Sequence, residues 1–285
     1  SEYNNARMES GAGRVPAPRL PYVVDVALAA LKDVRQLVLV GAKTPVSFFA
    51  YPGKPSVLIP DDCAVTRVAG VESDLEGALD ALADALDARN TPPAVAALAR
   101  TALPAGKVTR DGITAVLVAL LPEHAVVIDE SITTGRSFAT AMAGAPPHDW
   151  LTIMGGSIGW GLPAAVGAAI AAPQRKVIAL EGDGSAMYTL QALWTMAREN
   201  LDVTVIVFAN RSYKVLQGEL ANVGAGVPGR RANDMLTLDR PDLDWIALAK
   251  GLGVEAGRAA SLDELAQQFR RGLARRGPYL VELVI

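Results

Sequence analysis

Short apolar runs alternate with amphipathic stretches along the second half of the chain. The runs are β-branched, which favours buried strands, and the stretches carry apolar residues at helical spacing. The predicted strands are 125–129, 151–154, 176–180, 203–208, a segment near 254, and 279–284. The predicted helices are 110–121, 159–171, 185–199, 242–251 and 261–275, and a loop is predicted over 227–233. This alternation is typical of an α/β fold with a doubly wound parallel sheet.

The first half of the chain contains fewer elements. Residues 1–20 are polar, contain glycine and proline and show no periodicity, which indicates a linker, a tail or a cut end. The elements predicted next are a helix over 22–31, strands over 36–40, 56–59 and 64–68, and a helix over 74–86. Residues 91–107 are rich in proline and alanine. We expect them to link a partial α/β domain, residues 21–90, to a second domain over 108–285.

Glycines and polar residues follow two of the predicted strands. Gly182, Asp183 and Gly184 come after one strand, with Ser185 as the predicted N-cap of the next helix, and Asn210 ends the following strand. In a βαβ unit with a right-handed crossover, Asp183 and Asn210 emerge at the same carboxyl edge of the sheet, where such sheets bind ligands. Glycine N–H groups at a helix N-terminus suit a diphosphate, and the carboxylate and amide oxygens suit Mg²⁺ or, less often, Ca²⁺. A simple turn capped by Asp183 is the alternative interpretation.

Composition narrows the class of protein. The chain has 285 residues, of which 51% are hydrophobic and 20% charged, enough for two domains with a sizeable core. No apolar run reaches the ~20 residues of a spanning helix, and no signal-peptide pattern opens the sequence. We therefore expect a cytoplasmic protein without a membrane partner. The net charge of −3 argues against a nucleic-acid partner.

Two motifs, in this order, resemble those of thiamine diphosphate enzymes. Residues 155–167 are similar to the segment that passes under the cofactor in acetolactate synthases and benzoylformate decarboxylases. Gly182-Asp183-Gly184-Ser185 and the later Ala209–Tyr213 resemble the diphosphate and metal signature of the family, with the same spacing from Asp183 to Asn210. The resemblance continues to residues 278–282 and covers the C-terminal half of the chain.

The resemblance implies roles for individual residues around the diphosphate. Asp183, the Asn210 side chain and the Ser212 backbone carbonyl would be the metal ligands. The residues that would contact or enclose the diphosphate are Thr133, Gly182, Gly184, Ser185, Tyr188 and Tyr213. A turn-capping role is the alternative for Thr133.

The same resemblance implies roles around the rings of the cofactor. Ile158 would be the bulky apolar residue that props thiamine into its bent shape, and the Gly156 carbonyl would accept a hydrogen bond from its amino group. These two are the implied catalytic positions. Val215 and Leu216 would lie beside the thiazolium ring, where the substrate sits. For Ile158 the alternative is a core residue at the end of a strand.

The implied activity is that of a thiamine diphosphate- and Mg²⁺-dependent decarboxylase or carboligase of the acetolactate synthase-like group, acting on a 2-oxoacid. In this family the glutamate that activates the cofactor lies in an N-terminal pyrimidine-binding domain, and nothing in this sequence matches that domain. We therefore expect a fragment that is inactive alone. The missing domain would come from the same full-length chain or from a neighbouring subunit of a homodimer or homotetramer.

Two departures from the family pattern keep alternatives open. Residues 47–53 contain no histidine where benzoylformate decarboxylases have a catalytic one, and Ala209 replaces the first of two asparagines usual in the motif. A non-catalytic module that binds thiamine diphosphate and a benzoylformate decarboxylase-like lyase are therefore alternatives. A dinucleotide-binding domain is disfavoured because Met187 occupies the position of the third glycine in its motif.

Overall fold

A computed structural model describes residues 1–3, 6–99 and 101–285, which form two compact units. The first unit contains Ser1–Tyr3, Ala17–Ala94 and Asn222–Gly224, and the second contains the other described residues. The domain boundaries expected at residues 20, 90 and 107 stay a prediction.

The elements are numbered along the chain. The strands are β1 (Arg7–Ser10), β2 (Gln36–Val40), β3 (Ala64–Ala69), β4 (Val126–Glu130), β5 (His148–Thr152), β6 (Val177–Gly182), β7 (Val203–Ala209), β8 (Glu255–Ala259) and β9 (Tyr279–Val284). The helices are α1 (Val24–Leu31), α2 (Leu75–Ala85), α3 (Arg110–Leu120), α4 (Phe138–Ala141), α5 (Gly161–Ala171), α6 (Asp183–Ala186), α7 (Ala192–Arg198), α8 (Lys214–Asn222), α9 (Arg230–Met235), α10 (Trp245–Gly251) and α11 (Leu262–Ala274). Of these helices, none in the described part of the chain has both the length and the apolar character needed to cross a membrane.

The first unit contains a two-stranded parallel sheet of β2 and β3, whose pairing begins at Gln36 and Ala64. Residues 56–59, predicted as a strand, do not form one, and Val57 makes only an isolated bridge to Val46. Prolines at positions 55 and 60 flank this segment, and proline cannot donate to a strand ladder.

The second unit is a seven-stranded sheet with the order β1-β5-β4-β6-β7-β9-β8. All neighbouring strands are parallel except β1, which runs antiparallel to β5 at the edge. Successive side chains of β6 enter different apolar clusters, because alternate residues of a strand point to opposite faces. Ile178 packs with residues of α3 and α11, and Ala179 with residues of α5, α7 and α10. The predicted doubly wound α/β fold is therefore confirmed.

Several predicted bounds are wrong. β1 lies within residues 1–20, where no element is predicted, because its sequence Arg-Met-Glu-Ser is largely polar. β5 begins at His148 rather than 151, and α9 lies partly in the predicted loop 227–233. α5 begins at Gly161 rather than 159, because Gly159 has a φ of +87°, outside the helical region.

The helix predicted over 185–199 is two helices, α6 and α7. Between them the amides of Tyr188 and Thr189 donate to carbonyls only three residues back, which marks tight turns. Because α6 begins at Asp183, the predicted N-cap role of Ser185 is also wrong.

Candidate functional site

The strand order changes direction between β4 and β6. From β4 the chain moves to β5 on one side, and it then returns to β6 on the other side of β4. In open α/β sheets, ligands bind outside the carboxyl ends of the strands at such a switch point. The segments that leave this edge are residues 131–134, 153–160, α6 and the turn 210–213.

Asp183 lies at this edge as the first residue of α6, and only 2% of its surface is exposed. Its Oδ1 accepts from the Gly184 amide at 2.9 Å, and its Oδ2 accepts from the Arg211 amide at 2.6 Å. No described cation forms an ion pair with this carboxylate. Burial raises the pKa of Asp183 to about 6, although hydrogen bonds from Arg211 and Gly184 oppose the increase.

The turn after β7 lies directly against Asp183. Arg211 has a φ of +55°, a conformation that is uncommon for residues other than glycine, and its amide donates to Asp183. One residue earlier, the Asn210 Oδ1 accepts from the Ser212 amide at 2.9 Å. An amide oxygen has a second lone pair, so this contact leaves Asn210 able to bind a cation.

Two tyrosines border the same place. A Cβ at Gly184 would lie 2.7 Å from Cδ1 of Tyr213, so the ring packs against the bare backbone of Gly184. Burial, followed by the nearby Tyr188 and Asp183, raises the pKa of Tyr213. The structure therefore brings Asp183, Gly184, Tyr188 and Tyr213 together.

The remaining predicted diphosphate and ring residues lie around this group. Ser185 is buried, and its Oγ would lie 3.6 Å from a Cβ at Gly182. Val215 and Leu216 occupy the first turn of α8, directly after Tyr213. Thr133 follows β4 at the same edge, where its carbonyl accepts from Arg110 Nη2 at 3.4 Å. Within the described part of the chain, no hydrogen bond joins Thr133 to Asp183.

The segment after β5 contains tight turns built on glycines. Gly156 has a φ of +70°, and its carbonyl accepts from the Ile158 amide at 2.9 Å. The Ile158 side chain is 42% exposed. The alternative interpretation of Ile158 as a core residue is therefore wrong.

A buried glutamate at the end of β4 binds this segment. Glu130 is 0% exposed, its Oε1 accepts from the Gly159 amide at 2.6 Å, and its Oε2 accepts from the Gly161 amide at 2.5 Å. On the other side, the Thr189 hydroxyl donates to the Gly159 carbonyl at 2.7 Å. Burial raises the pKa of Glu130, against the two amide hydrogen bonds.

A second buried glutamate, Glu181, pairs with Glu130 across β4 and β6. Within the described residues its two carboxyl oxygens have no hydrogen-bond partner. Burial, with the nearby Glu130 and Asp129, raises the pKa of Glu181 well above its ordinary range. Neither glutamate is among the residues that the sequence predicts for the site. The available signal is that acidic residues follow both apolar runs, Asp129 and Glu130 in β4 and Glu181 in β6.

The oxygen donors at Asp183 and Asn210 fit Mg²⁺ bound together with thiamine diphosphate. Asp183 supplies a buried carboxylate whose charge no described cation neutralises, and Mg²⁺ binds carboxylates together with phosphate oxygens and water. Among the described residues, no three His, Cys, Asp or Glu side chains form a metal cluster. Such a metal would therefore need oxygens from its ligand, such as those of a diphosphate.

The chain is similar to several known proteins. The profile described as "Thiamine pyrophosphate enzyme, C-terminal TPP binding domain" matches residues 133–283. The chain is 49% identical over 281 residues to IlvX of Mycobacterium tuberculosis, named as a candidate acetolactate synthase large subunit, and this match covers 98% of the chain and 54% of IlvX. It is 38% identical over 168 residues to the benzoylformate decarboxylase of Pseudomonas aeruginosa, covering 59% of the chain and 30% of that enzyme.

A solved structure gives the same result. The thiamine diphosphate-dependent 4-hydroxybenzoylformate decarboxylase of Rhodococcus jostii RHA1 superimposes with a TM-score of 0.75 and 26% sequence identity. The superposition covers 95% of this chain and 55% of the decarboxylase. IlvX and this decarboxylase each match nearly all of the chain. The chain spans about half the length of each of them.

Proposed function

Because the chain belongs to the family of thiamine pyrophosphate enzymes with the C-terminal TPP-binding domain, we propose that it forms the diphosphate- and metal-binding half of a 2-oxoacid decarboxylase or carboligase. The supporting observation is the buried, unneutralised carboxylate of Asp183 beside Asn210 at the switch point of the sheet. The similarity to IlvX favours an acetolactate synthase-like activity for the whole protein.

In this proposal, Mg²⁺ is bound by the Asp183 carboxylate, the Asn210 side-chain oxygen and the Ser212 carbonyl. The diphosphate is bound by the backbone of Gly182 and Gly184 with the hydroxyl side chains nearby, namely Thr133, Ser185, Tyr188 and Tyr213. Thiamine diphosphate, when bound, supplies the carbon nucleophile and the electron sink for loss of CO₂ from a 2-oxoacid.

The apolar side chains of this edge would serve the ring portion of the cofactor. Ile158 is partly exposed and protrudes from its glycine segment, and Val215 and Leu216 lie at the start of α8. They would keep water away from the reacting groups, and the Gly156 carbonyl would orient the amino group of the cofactor. The pyrimidine-binding domain would come from the rest of a longer chain or from a second subunit of a homodimer or homotetramer.

The test is the thermal unfolding midpoint of the chain with thiamine diphosphate and Mg²⁺ together and with each alone. Saturation at 100 times the dissociation constant adds about 2.7 kcal/mol to the free energy of unfolding. We expect a rise in the midpoint that requires both components and is lost in Asp183→Asn, because an amide lacks the charge that attracts the cation.

The matched control is Asp149→Asn, which changes a buried carboxylate at the amino end of β5, far along the strands from this edge. This variant is expected to unfold at a lower temperature and still to respond to the two ligands. An equal response from Asp183→Asn and the wild-type chain would refute the proposed metal site.

A second candidate is a module that binds thiamine diphosphate without turnover. Ala209 favours it, because this buried position carries no side-chain donor next to Asn210. A panel of 2-oxoacids, given to the full-length protein with both ligands, separates the two. Release of CO₂ supports the enzyme, and benzoylformate as the preferred substrate would indicate a benzoylformate decarboxylase-like lyase.

A further inference from the structure

Glu130 is a buried carboxylate whose two oxygens bind the same short segment. It accepts from the amides of Gly159 and Gly161, at 2.6 and 2.5 Å, and none of its surface is exposed. A buried carboxylate is unfavourable unless it is hydrogen-bonded, and hydrogen bonds to a charged acceptor are stronger than neutral ones. The N-terminus of α5, which begins at Gly161, adds a favourable dipole.

The backbone of this segment is held from two sides. Opposite Glu130, the Thr189 hydroxyl donates to the carbonyl of the same Gly159 at 2.7 Å. Side chains would not fit at these positions, because a Cβ at Gly159 would lie 2.6 Å from the Tyr188 Cβ, and one at Gly161 would lie 2.0 Å from Glu181 Oε1. The orientation of the Gly159 peptide is therefore fixed by Glu130 and by the turn that carries Tyr188.

Hydrogen bonds between residues two or three positions apart extend this constraint to Gly156 and Ile158. The Trp160 amide donates to the Ser157 carbonyl at 3.1 Å, and the Ile158 amide donates to the Gly156 carbonyl at 2.9 Å. Since Ile158 is substantially exposed, packing does little to fix it, and its position depends on the backbone on either side.

We propose that Glu130 is a positioning residue for the ring portion of the cofactor: by binding the amides of Gly159 and Gly161, it holds Ile158 and the Gly156 carbonyl in place. The inference rests on the proposed function. It separates the site into a part that binds diphosphate and metal, around Asp183, and a part that aligns the rings, which depends on Glu130.

The test compares two probes, each with Mg²⁺: inorganic diphosphate and thiamine diphosphate. Glu130→Gln keeps the size of the side chain but turns a donor toward one backbone amide, so one hydrogen bond is replaced by a repulsive contact. In titration calorimetry of the chain, we expect the variant to bind inorganic diphosphate within about twofold of wild type. We expect its affinity for thiamine diphosphate to fall roughly tenfold or more.

A second readout needs no ligand. Hydrogen exchange of the backbone amides at Gly159 and Gly161 is expected to accelerate roughly tenfold or more in Glu130→Gln. Asp149→Asn is the control, because it alters a buried carboxylate on the neighbouring strand without touching this segment. It should leave the exchange at both glycines and the ratio of the two affinities unchanged.

The outcomes are distinguishable. An equal loss of both affinities in Glu130→Gln would mean that the residue only supports the fold, and wild-type affinity for thiamine diphosphate would mean that the segment does not depend on it. Either result overturns the positioning role while the proposed function stands. If wild type binds neither probe, the proposed function fails and this inference fails with it.

Discussion

His148 carries a titratable ring into the interior of the protein. It lies buried at the start of β5 with its Nδ1 2.7 Å from the Pro146 carbonyl, and its Nε2 has no hydrogen-bond partner among the described residues. Burial lowers the pKa of His148, although the Pro146 carbonyl and Asp149 favour the charged form. The folded chain therefore holds this ring neutral to a lower pH than the unfolded chain does.

This difference predicts how stability depends on pH. Below the ordinary histidine pKa of about 6.5, the unfolded chain binds a proton that the folded chain does not, so the free energy of unfolding falls as pH falls. We expect His148→Gln to lose less stability than wild type between pH 7.5 and 5.5 in urea unfolding. The exposed His124→Gln is the control and should follow wild type. Equal slopes for wild type and His148→Gln would contradict the prediction.

At the candidate site, the residues that could be predicted are those that directly follow an apolar run. Asp183 and Asn210 come directly after the parallel strands β6 and β7, so parallel pairing alone predicts that they lie at the same edge of the sheet. Glu130 also ends a strand, but its role depends on where the segment after β5 crosses β4. That crossing is a tertiary contact that no local pattern encodes.

Helix α5 shows how an element depends on the glycine at its start. Gly161 lies directly over the two buried glutamates, and a Cβ there would lie 2.0 Å from Glu181 Oε1 and 2.9 Å from Glu130 Oε2. Gly167, two turns later, faces open space. One helix therefore carries a glycine that packing requires and another that packing does not require.

These two glycines predict opposite effects of the same substitution. Gly161→Ala forces buried carboxyl groups apart and is expected to lower the free energy of unfolding by about 2–4 kcal/mol. Gly167→Ala is the control and should raise it by about 0.5–1 kcal/mol, since alanine is the better helix former. Urea unfolding measures both. A stable Gly161→Ala chain would show that the close packing over Glu130 and Glu181 is absent.

The elements that sequence predicts well are those with a strong period and local end signals. β2 matches its predicted bounds, and α11 begins after Ser261, whose side chain caps it by accepting from the Glu264 amide. The break between α6 and α7 could not be predicted, because the apolar spacing continues across it. The Thr189 hydroxyl within this break binds Gly159, a residue 30 positions earlier.

At the scale of the whole molecule, the large sheet ends in a strand that the local sequence does not reveal. β1 pairs with β5 from Arg7 opposite Leu151 to Ser10 opposite His148. The Asp149 carboxylate forms ion pairs with Arg7, whose Nε lies 2.8 Å from Oδ1, and with Arg175, whose Nη2 lies 2.6 Å from Oδ2. Burial alone would raise the pKa of Asp149, but these guanidinium groups outweigh it and lower the pKa. β1 thus covers the backbone of β5 and helps to neutralise a buried charge.

Removing β1 from the edge is expected to cause self-association. The Thr152 amide donates to the Ala6 carbonyl, so these two residues form a hydrogen-bonded pair of the antiparallel ladder. Hydrogen-bonded pairs recur at every second residue, and Met8, opposite Trp150, is therefore in the next such pair. Met8→Pro removes that donor and is expected to lower the free energy of unfolding by about 1–2 kcal/mol. The uncovered β5 would then pair with other copies, which light scattering after size exclusion detects as a dependence on concentration.

The control is Met8→Val, which keeps the backbone donor and a side chain that suits a strand. It should remain in the same oligomeric state as wild type. If Met8→Pro matches it in both stability and association, β1 does not protect the edge.

The pairing of β1 with β5 also has a consequence for synthesis. Arg7 and Asp149 are 142 residues apart in the chain, and the first compact unit is made almost entirely between them. At roughly 5–20 residues per second, a ribosome needs on the order of ten seconds to deliver the partner of a strand already outside the exit tunnel. The entropy of closing so long a loop is modest, since each doubling of length adds only about 0.6 kcal/mol. The residues of β1 are thus made well before their partner, and a nascent chain must keep them unpaired until β5 emerges.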